Sequence, residues 1–235
     1  MEIAGSTALV TGANRGIGAE FVRQLKERGA RRIYAAARRP GSVTIDGVEV
    51  LTLDVTDEAQ VHAAARTAAD VDLLINNAGA SSGQPLLTGD LAAIRHEMEV
   101  NLFGPLTMAR AFAPVLAANG GGTMLNVLSA AGWFVVPGAT TYGMTKAAAW
   151  NLTDGLRLEL AGQGTRVVGL QMAAVDTDMT KDLAVEKSAA DVVVSRALDG
   201  VESGASEVVA DRLTAEVKAG LGLDPAERYG ALLPA

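Results

Sequence analysis

The chain of 235 residues contains no cysteine and only two histidines. The absence of cysteine excludes disulfides, thiolate metal sites and cysteine nucleophiles. The two histidines, His62 and His96, lie in stretches with the pattern of exposed helix surface. We expect neither to be a base or a ligand, and we therefore predict no metal site. Any chemistry of this protein must come from other side chains.

Positive charge is also scarce, because 20 Lys and Arg residues face 27 Asp and Glu residues, for a formal net charge of -7. This balance argues against a surface that binds nucleic acid or an anionic membrane. No apolar run approaches the roughly 20 residues that span a bilayer. The N-terminal MEIAGSTALV lacks the basic start and long apolar core of a signal peptide. We expect a cytoplasmic protein with neither nucleic acid nor membrane as a partner.

Short, almost continuously apolar runs are what the sequence does contain, and they are typical of strands buried on both faces. They cover residues 7–10, 32–37, 48–53, 71–76, 123–129, 165–172 and 206–210. Helical patterns alternate with them at 16–28, 57–69, 90–118, 140–160 and 188–202. This alternation predicts a doubly wound α/β fold, a seven-stranded parallel sheet with helices on both faces, in one domain over residues 1–235. Ligands bind beyond the carboxyl ends of such strands, so the site is expected there.

The first strand runs into TGANRGIGAEF, in which Gly12, Gly16 and Gly18 have the spacing GxxxGxG before a helix. Such glycines permit a tight turn and let the backbone approach a pyrophosphate, whose charge the helix N-terminus favours. An ordinary strand-to-helix turn can also be rich in glycine. The position of this turn in the first strand–turn–helix unit nevertheless favours dinucleotide binding.

The end of the second strand indicates which dinucleotide is bound. It reads Ala37-Arg38-Arg39 and lacks the acidic residue that would bind the adenosine ribose 2′-hydroxyl of NAD. Arg38, together with Arg15 from the glycine turn, can hold a 2′-phosphate through charge-assisted hydrogen bonds. We therefore predict that NADP(H) is preferred over NAD(H). The alternative interpretation is that these arginines belong to a solvated turn.

The motifs TGANRGIG, LDVT, NNAG, VNLFG, LNVLS, YGMTK and VDTDM stand in an order and spacing that resemble the short-chain dehydrogenase/reductase family, whose single-domain members have a Rossmann-like fold. The resemblance covers essentially the whole chain. It implies a catalytic set made of Asn101, Ser129, Tyr142 and Lys146. It also implies a cofactor site that comprises Gly12, Asn14, Arg15, Gly16, Ile17, Gly18, Arg38, Asp54, Val55, Asn77, Ala78, Gly79, Tyr142, Lys146, Val175 and Thr177.

Tyr142 and Lys146 are four residues apart in ATTYGMTKAAAW, a spacing that by itself occurs on any ordinary helix. In the reaction that the resemblance implies, hydride reaches a carbonyl carbon and Tyr142 protonates the carbonyl oxygen. Lys146 would favour the phenolate through its charge and bind the nicotinamide ribose. Ser129 would hold the substrate oxygen, and Asn101 would hold a water molecule on the proton path.

Met172-Ala173 stands where the family usually has Pro-Gly, which leaves the path of this loop open. Met172 either fills a gap in the core or lines the pocket. Trp133 and Phe134 suggest an apolar carbonyl substrate, but contact with a neighbouring subunit is an equally good interpretation. In the family, the helix that carries the tyrosine and the long helix before it commonly form subunit interfaces, so we expect a homodimer or homotetramer.

These observations predict an NADP(H)-dependent carbonyl reductase, an oxidoreductase that acts on a small carbonyl compound or, in the reverse direction, a secondary alcohol. The alternative is a catalytically idle Rossmann-like protein that senses the state of the dinucleotide pool, since a fold does not dictate a function. A sensor needs the glycine turn but not a tyrosine acid with its lysine. The presence of both groups favours the enzyme.

Overall fold

The computed structural model describes residues 1–232, so residues 233–235 of the predicted domain lie outside the described part. All predicted strands are present, as β1 (Thr7–Thr11), β2 (Arg32–Ala37), β3 (Glu49–Thr52), β4 (Leu73–Asn76), β5 (Thr123–Val127), β6 (Arg166–Gln171) and β7 (Glu207–Val209). They form one sheet in the order β3-β2-β1-β4-β5-β6-β7, and every pair is parallel. The order reverses between β1 and β4, which is the point where such sheets bind ligands. The predicted fold class is confirmed.

Helices follow the strands as α1 (Gly16–Glu27), α2 (Glu58–Thr67), α3 (Leu91–Met98), α4 (Gly104–Ala118), α5 (Thr140–Leu160), α6 (Ala190–Ser203), α7 (Arg212–Ala219) and α8 (Pro225–Tyr229). The helix predicted over 90–118 is continuous, but a π-helical turn at Glu99–Phe103 separates α3 from α4. The helices α7 and α8 were not predicted. Each is preceded by an aspartate, Asp211 or Asp224, whose side chain accepts a hydrogen bond from a backbone N–H of the first turn.

The core consists of two layers, one on each face of the sheet. Along β1, Ala8 and Val10 belong to one layer and Leu9 to the other, because successive side chains of a strand point to opposite faces. The first layer packs against α1 and α6 and includes Phe21, while the second packs against α2, α4 and α5 and includes Phe112. Burial on both faces is the reason that the strands read as continuous apolar runs.

The helical stretch Leu91–Ala118 is long and apolar enough to cross a membrane by length and composition. Its side chains Met108, Phe112 and Leu116 are completely buried, however, in the layer of the core that covers the sheet. A core helix meets the same criteria of length and composition as a membrane span. These three side chains of α4 pack as those of a core helix do.

Candidate active site

One groove runs across the carboxyl ends of the strands, from the tip of β2 to the first turns of α5. All sixteen residues predicted for the cofactor site line it, and so does Ser129. Asn101 lies behind the groove wall and is 1% exposed. His96 is exposed, as expected for a residue on the helix surface, and it lies at the rim of the groove near Val100. The structure therefore brings the two predicted sets of residues together in one place.

The glycine turn between β1 and α1 requires its glycines. Gly12 and Gly16 have φ angles of +65° and +51°, in the left-handed region that favours glycine. A Cβ atom at Gly18 would lie 2.1 Å from the carbonyl oxygen of Gly12, so no larger residue fits. No side chain caps the N-terminus of α1, whose first N–H groups remain available to an anion. The turn fits a pyrophosphate.

Asn77, at the end of β4, is tied to the glycine turn. Its side-chain amide donates to the carbonyl oxygens of Thr11 at 2.9 Å and Gly12 at 3.3 Å, and its backbone N–H donates to the hydroxyl of Thr11 at 2.9 Å. These bonds hold the ends of β1 and β4 together at the point where the strand order reverses. Asn77 thus also has the structural role of a strand-end residue.

The adenosine end of the groove is formed by the tip of β2 and the loop after β3. Arg38, Arg39 and Ser42 line it side by side, and Arg38 has no ion-pair partner within residues 1–232. The carboxylate of Asp54 accepts hydrogen bonds from the N–H and hydroxyl of Thr56 and belongs to a tight turn. Two guanidinium groups and a hydroxyl at the strand tip suit a phosphate group.

Arg15, the second arginine predicted to hold a 2′-phosphate, forms an ion pair with Asp178 across the groove, with 3.0 Å between Nη1 and Oδ2. Both side chains are mostly exposed, at 63% and 69%. Such a pair is weak because water and salt screen it. Arg15 is therefore free to turn toward an anion in the groove.

Tyr142 lies in the first turn of α5, and Ser129 lies two residues after the end of β5, directly before a short 3-10 turn. Burial raises the pKa of Tyr142 to about 12, hydrogen bonding with Ser129 lowers it in part, and the negative charge of Glu97 raises it further. The expectation was that the charge of Lys146 would lower this pKa. Burial instead has the larger effect, so the phenol keeps its proton at neutral pH.

Lys146 follows one turn later on α5 and is 5% exposed. Its ammonium group donates a hydrogen bond to the carbonyl oxygen of Val127, at the end of β5, over 2.8 Å. Burial lowers the pKa of Lys146 to about 8. The ammonium nitrogen lies 5.7 Å from the centre of the Tyr142 ring, so a cation stands beside the phenol.

Asn101 occupies the π-helical turn between α3 and α4, a distortion that is frequent at functional sites. Its side chain accepts from the N–H of Ala80 at 2.9 Å and donates to the carbonyl of Ala80 at 2.8 Å and to the hydroxyl of Thr145 at 2.9 Å. A Cβ atom at Gly79 would lie 3.4 Å from Oδ1 of Asn101 and 4.0 Å from Nζ of Lys146. Glycine thus leaves open the space between the amide and the ammonium group.

The loop after β6 has a defined path despite the replacement of Pro-Gly. The N–H of Ala173 donates to the carboxylate of Asp211 at 2.8 Å, and Val175 forms a bridge with Ser188. Met172 is 4% exposed in the core and also lines the groove, so both interpretations of this residue hold. The hydrogen bond to Asp211 and the bridge to Ser188 hold the loop in this path.

Trp133 does not line the groove, contrary to one of the two interpretations of this loop. It is 5% exposed and packs edge-on against Trp150 of α5, with ring centres 5.7 Å apart. Phe134 packs against Tyr229 of α8 at 4.8 Å. The ammonium nitrogen of Lys218, on α7, lies 5.8 Å from the centre of the Trp133 ring. Trp133 thus contacts α7 and Phe134 contacts α8, two helices that the sequence did not predict.

Comparison with known proteins identifies the family of this chain. The family model for short chain dehydrogenase matches residues 6–188. A short-chain dehydrogenase from Talaromyces islandicus is 34% identical over 181 residues, which are 73% of this chain and 63% of that protein. The chain thus spans less than two thirds of the length of that relative.

Solved structures show the same relationship. A short chain dehydrogenase from Burkholderia cenocepacia J2315 in complex with NADP has 40% identity and a TM-score of 0.95, and the match covers 100% of both chains. A 3-ketoacyl-(acyl-carrier-protein) reductase from Brucella melitensis complexed with NADH has 26% identity and a TM-score of 0.80, over 87% of this chain and 93% of that one. The chain belongs to the short-chain dehydrogenase family of oxidoreductases.

Proposed function

We propose that the protein is an NADP(H)-dependent oxidoreductase that interconverts a carbonyl compound and a secondary alcohol, with Tyr142 as the general acid and base. The observation that carries this proposal is that the phenol of Tyr142, the hydroxyl of Ser129 and the ammonium group of Lys146 all line the groove that begins at the glycine turn. A dinucleotide bound along the groove would reach these three groups with its far end.

The chain fits such a cofactor. The glycine turn and the N-terminus of α1 would hold the pyrophosphate, Arg38 the 2′-phosphate, and Val175, Thr177 and Lys146 the nicotinamide half. The bound cofactor supplies or accepts hydride. Two observations support a preference of the protein for the 2′-phosphorylated cofactor. The tip of β2 carries two arginines and no carboxylate, and the Burkholderia cenocepacia relative was solved in complex with NADP.

Tyr142 is suited to protonate the carbonyl oxygen of the substrate. With a pKa of about 12 the phenol is protonated at neutral pH and can donate its proton as negative charge develops on that oxygen. The hydroxyl of Ser129 would donate a hydrogen bond to the same oxygen, and the nearby ammonium group of Lys146 would stabilise the phenolate left behind. The space between Lys146 and Asn101 is a route by which a proton can return to the phenolate of Tyr142.

We further propose that the protein forms a homodimer or homotetramer. Phe103, in the π-helical turn, and Met144 and Leu158, on α5, are apolar side chains that are 45%, 43% and 81% exposed. Contact with a second copy would bury such side chains, which is favourable in water. Light scattering at micromolar protein concentration tests this proposal, and a monomer would contradict it.

The function is tested by a panel of ketones and aldehydes, assayed in parallel with NADPH and NADH. We expect oxidation of NADPH with at least one class of carbonyl compound and a lower kcat/KM with NADH. Absence of turnover across a broad panel, with NADPH bound, would instead favour a protein that senses the dinucleotide. Equal or better activity with NADH would contradict the proposed cofactor preference.

A further inference from the structure

Exposed apolar side chains are concentrated on three loops at one edge of the sheet. We call them the first loop (77–90, after β4), the second loop (128–139, after β5) and the third loop (172–189, after β6). They make up less than a fifth of the described chain, but they carry seven of its 16 large exposed apolar side chains. The seven are Leu86, Leu87, Val135, Val136, Met179, Leu183 and Val185. Clusters of this kind mark surfaces that bind an apolar group.

The three loops lie beside Tyr142. In the first loop, the carbonyl oxygen of Gln84 accepts a hydrogen bond at 3.2 Å from the hydroxyl of Thr141, the residue before Tyr142. The second loop begins just before Ser129 and leads directly into the first turn of α5. The third loop contributes Met179, which lines the groove together with Tyr142. The exposed apolar side chains thus border the end of the groove where the proposed reaction takes place.

Hydrogen bonds hold two of these loops in place although their apolar side chains are exposed. In the first loop, the N–H of Gly89 donates to the carbonyl oxygen of Pro85 at 2.9 Å and closes the turn that carries the two leucines. In the second loop, the N–H of Val135 donates to the hydroxyl of Tyr229 of α8 at 3.2 Å. An apolar side chain that stays in water contributes no hydrophobic stabilisation to the fold. A ligand that covers these side chains would gain that free energy on binding.

The same loops are poor in positive charge. Residues 77–89 and 127–141 contain no ionisable side chain. The third loop contains four acidic residues and only two lysines, so its net charge is negative. Its Lys187 donates a hydrogen bond to the carbonyl oxygen of Lys181 at 3.2 Å and is thus directed toward its own loop. A carboxylate or phosphate group would lose hydration here and meet a negative surrounding.

The cations of the groove itself are placed for the cofactor. Arg38 and Arg39 line its adenosine end, and Arg15 pairs with Asp178 at 3.0 Å. Lys146 is buried beside the phenol. The groove therefore separates a basic end, which suits the phosphates of a dinucleotide, from an apolar end.

We propose that the substrate is an uncharged carbonyl compound with a hydrocarbon chain, and that this chain lies against the apolar side chains of the three loops. Met179, which is 49% exposed and lines the groove, is the residue assigned to contact the chain. The proposal names the substrate class of the reaction proposed above and rests on it for turnover. Binding of the chain can be measured without turnover.

The test compares two ketones of equal length in the presence of saturating NADP⁺. 2-Octanone and 7-oxooctanoate share a methyl ketone and differ only at the far end, which is a methyl group in one and a carboxylate in the other. An NMR titration that observes the ligand gives both dissociation constants. We expect 2-octanone to bind at least about tenfold more tightly, because its whole chain can leave water.

Met179→Lys places a cation in the proposed contact. It should weaken the binding of 2-octanone and strengthen that of 7-oxooctanoate, each by about threefold or more. Leu213→Lys is the matched control, because Leu213 is similarly exposed, at 52%, on α7 and outside the groove. This control should leave both dissociation constants unchanged.

The outcomes separate this proposal from the proposed reaction. Selective binding of 2-octanone that Met179→Lys weakens supports the proposal, whether or not NADPH reduces the bound ketone. Binding without reduction would count against the reaction alone. Equal or tighter binding of 7-oxooctanoate would overturn the proposed substrate class. Binding of neither ketone would also overturn it, as expected if a second copy of the chain covered the three loops.

Discussion

The ammonium nitrogen of Lys146 lies 5.7 Å from the centre of the Tyr142 ring. The spacing of four residues on α5 brings the two side chains to one face of the helix. Burial moves their pKa values in opposite directions, to about 12 for Tyr142 and about 8 for Lys146. An acid and a cation result at neutral pH, and groups whose environments separate their pKa values in this way are typical of acid–base sites.

Lys146→Met is expected to stabilise the folded protein near neutral pH while it abolishes turnover. Burial lowers the pKa of Lys146 from 10.5 to about 8, so the unfolded chain binds more protons than the folded one between these pH values. Keeping the lysine charged in the fold therefore lowers the free energy of unfolding by at most about 3 kcal/mol at pH values below 8. This cost decreases as the pH rises above 8 and disappears above 10.5.

Thermal unfolding measured by circular dichroism at several pH values checks this expectation. The Tm advantage of Lys146→Met should be largest near neutral pH and should vanish above the pKa of a free lysine side chain. An advantage that does not change with pH would show that it comes from packing and not from the buried charge.

Arg38→Ala should weaken the binding of NADPH by about 10- to 100-fold, because it removes a charge-assisted hydrogen bond to the 2′-phosphate. Binding of NADH, which lacks this phosphate, should change by less than about threefold. Fluorescence titration with both nucleotides measures the two effects. Arg212→Ala, on exposed α7 and outside the groove, is the control of equal charge. Equal losses for both nucleotides would contradict the assigned contact.

Gly18→Ala should abolish dinucleotide binding and lower the stability of the protein. The added Cβ atom would lie 2.1 Å from the carbonyl oxygen of Gly12 and 2.5 Å from the side-chain nitrogen of Asn77, so it has no space. Gly222→Ala is the matched control, since a Cβ atom there meets no atom within 4 Å. Calorimetric titration with NADPH and thermal unfolding report the two effects. Normal binding by Gly18→Ala would show that the turn does not hold the nucleotide.

The sheet could be predicted from sequence because five of its seven strands, β1, β2, β4, β5 and β6, are buried on both faces. The groove could be located because the glycine turn and the ends of the strands must meet at one edge. The helices α7 and α8 could not be found in the same way, since they are short and mostly exposed. The only indications of where these two helices begin are Asp211 for α7 and the pair Asp224-Pro225 for α8. Helix caps alone are weak predictors.

The surroundings of the site were less accessible to prediction. Glu97 stands in the charged stretch RHEMEV, where nothing in the sequence distinguishes a buried carboxylate from the exposed Glu99. Its burial depends on the loop 80–84 that folds over it, a tertiary contact. The sequence also led us to expect a lowered pKa for Tyr142, because it shows the proximity of Lys146. It does not show the burial of the phenol, which depends on tertiary contacts and raises this pKa.

Tyr142→Phe, measured for turnover and for NADPH affinity in the same preparation, tests whether this phenol is the proton donor. The change removes one hydroxyl group and should abolish carbonyl reduction, with a loss in kcat of at least about 100-fold, while the Kd for NADPH stays within about threefold. Such a result would assign the proton donor to Tyr142. A variant that retains kcat would show that this phenol does not supply the proton.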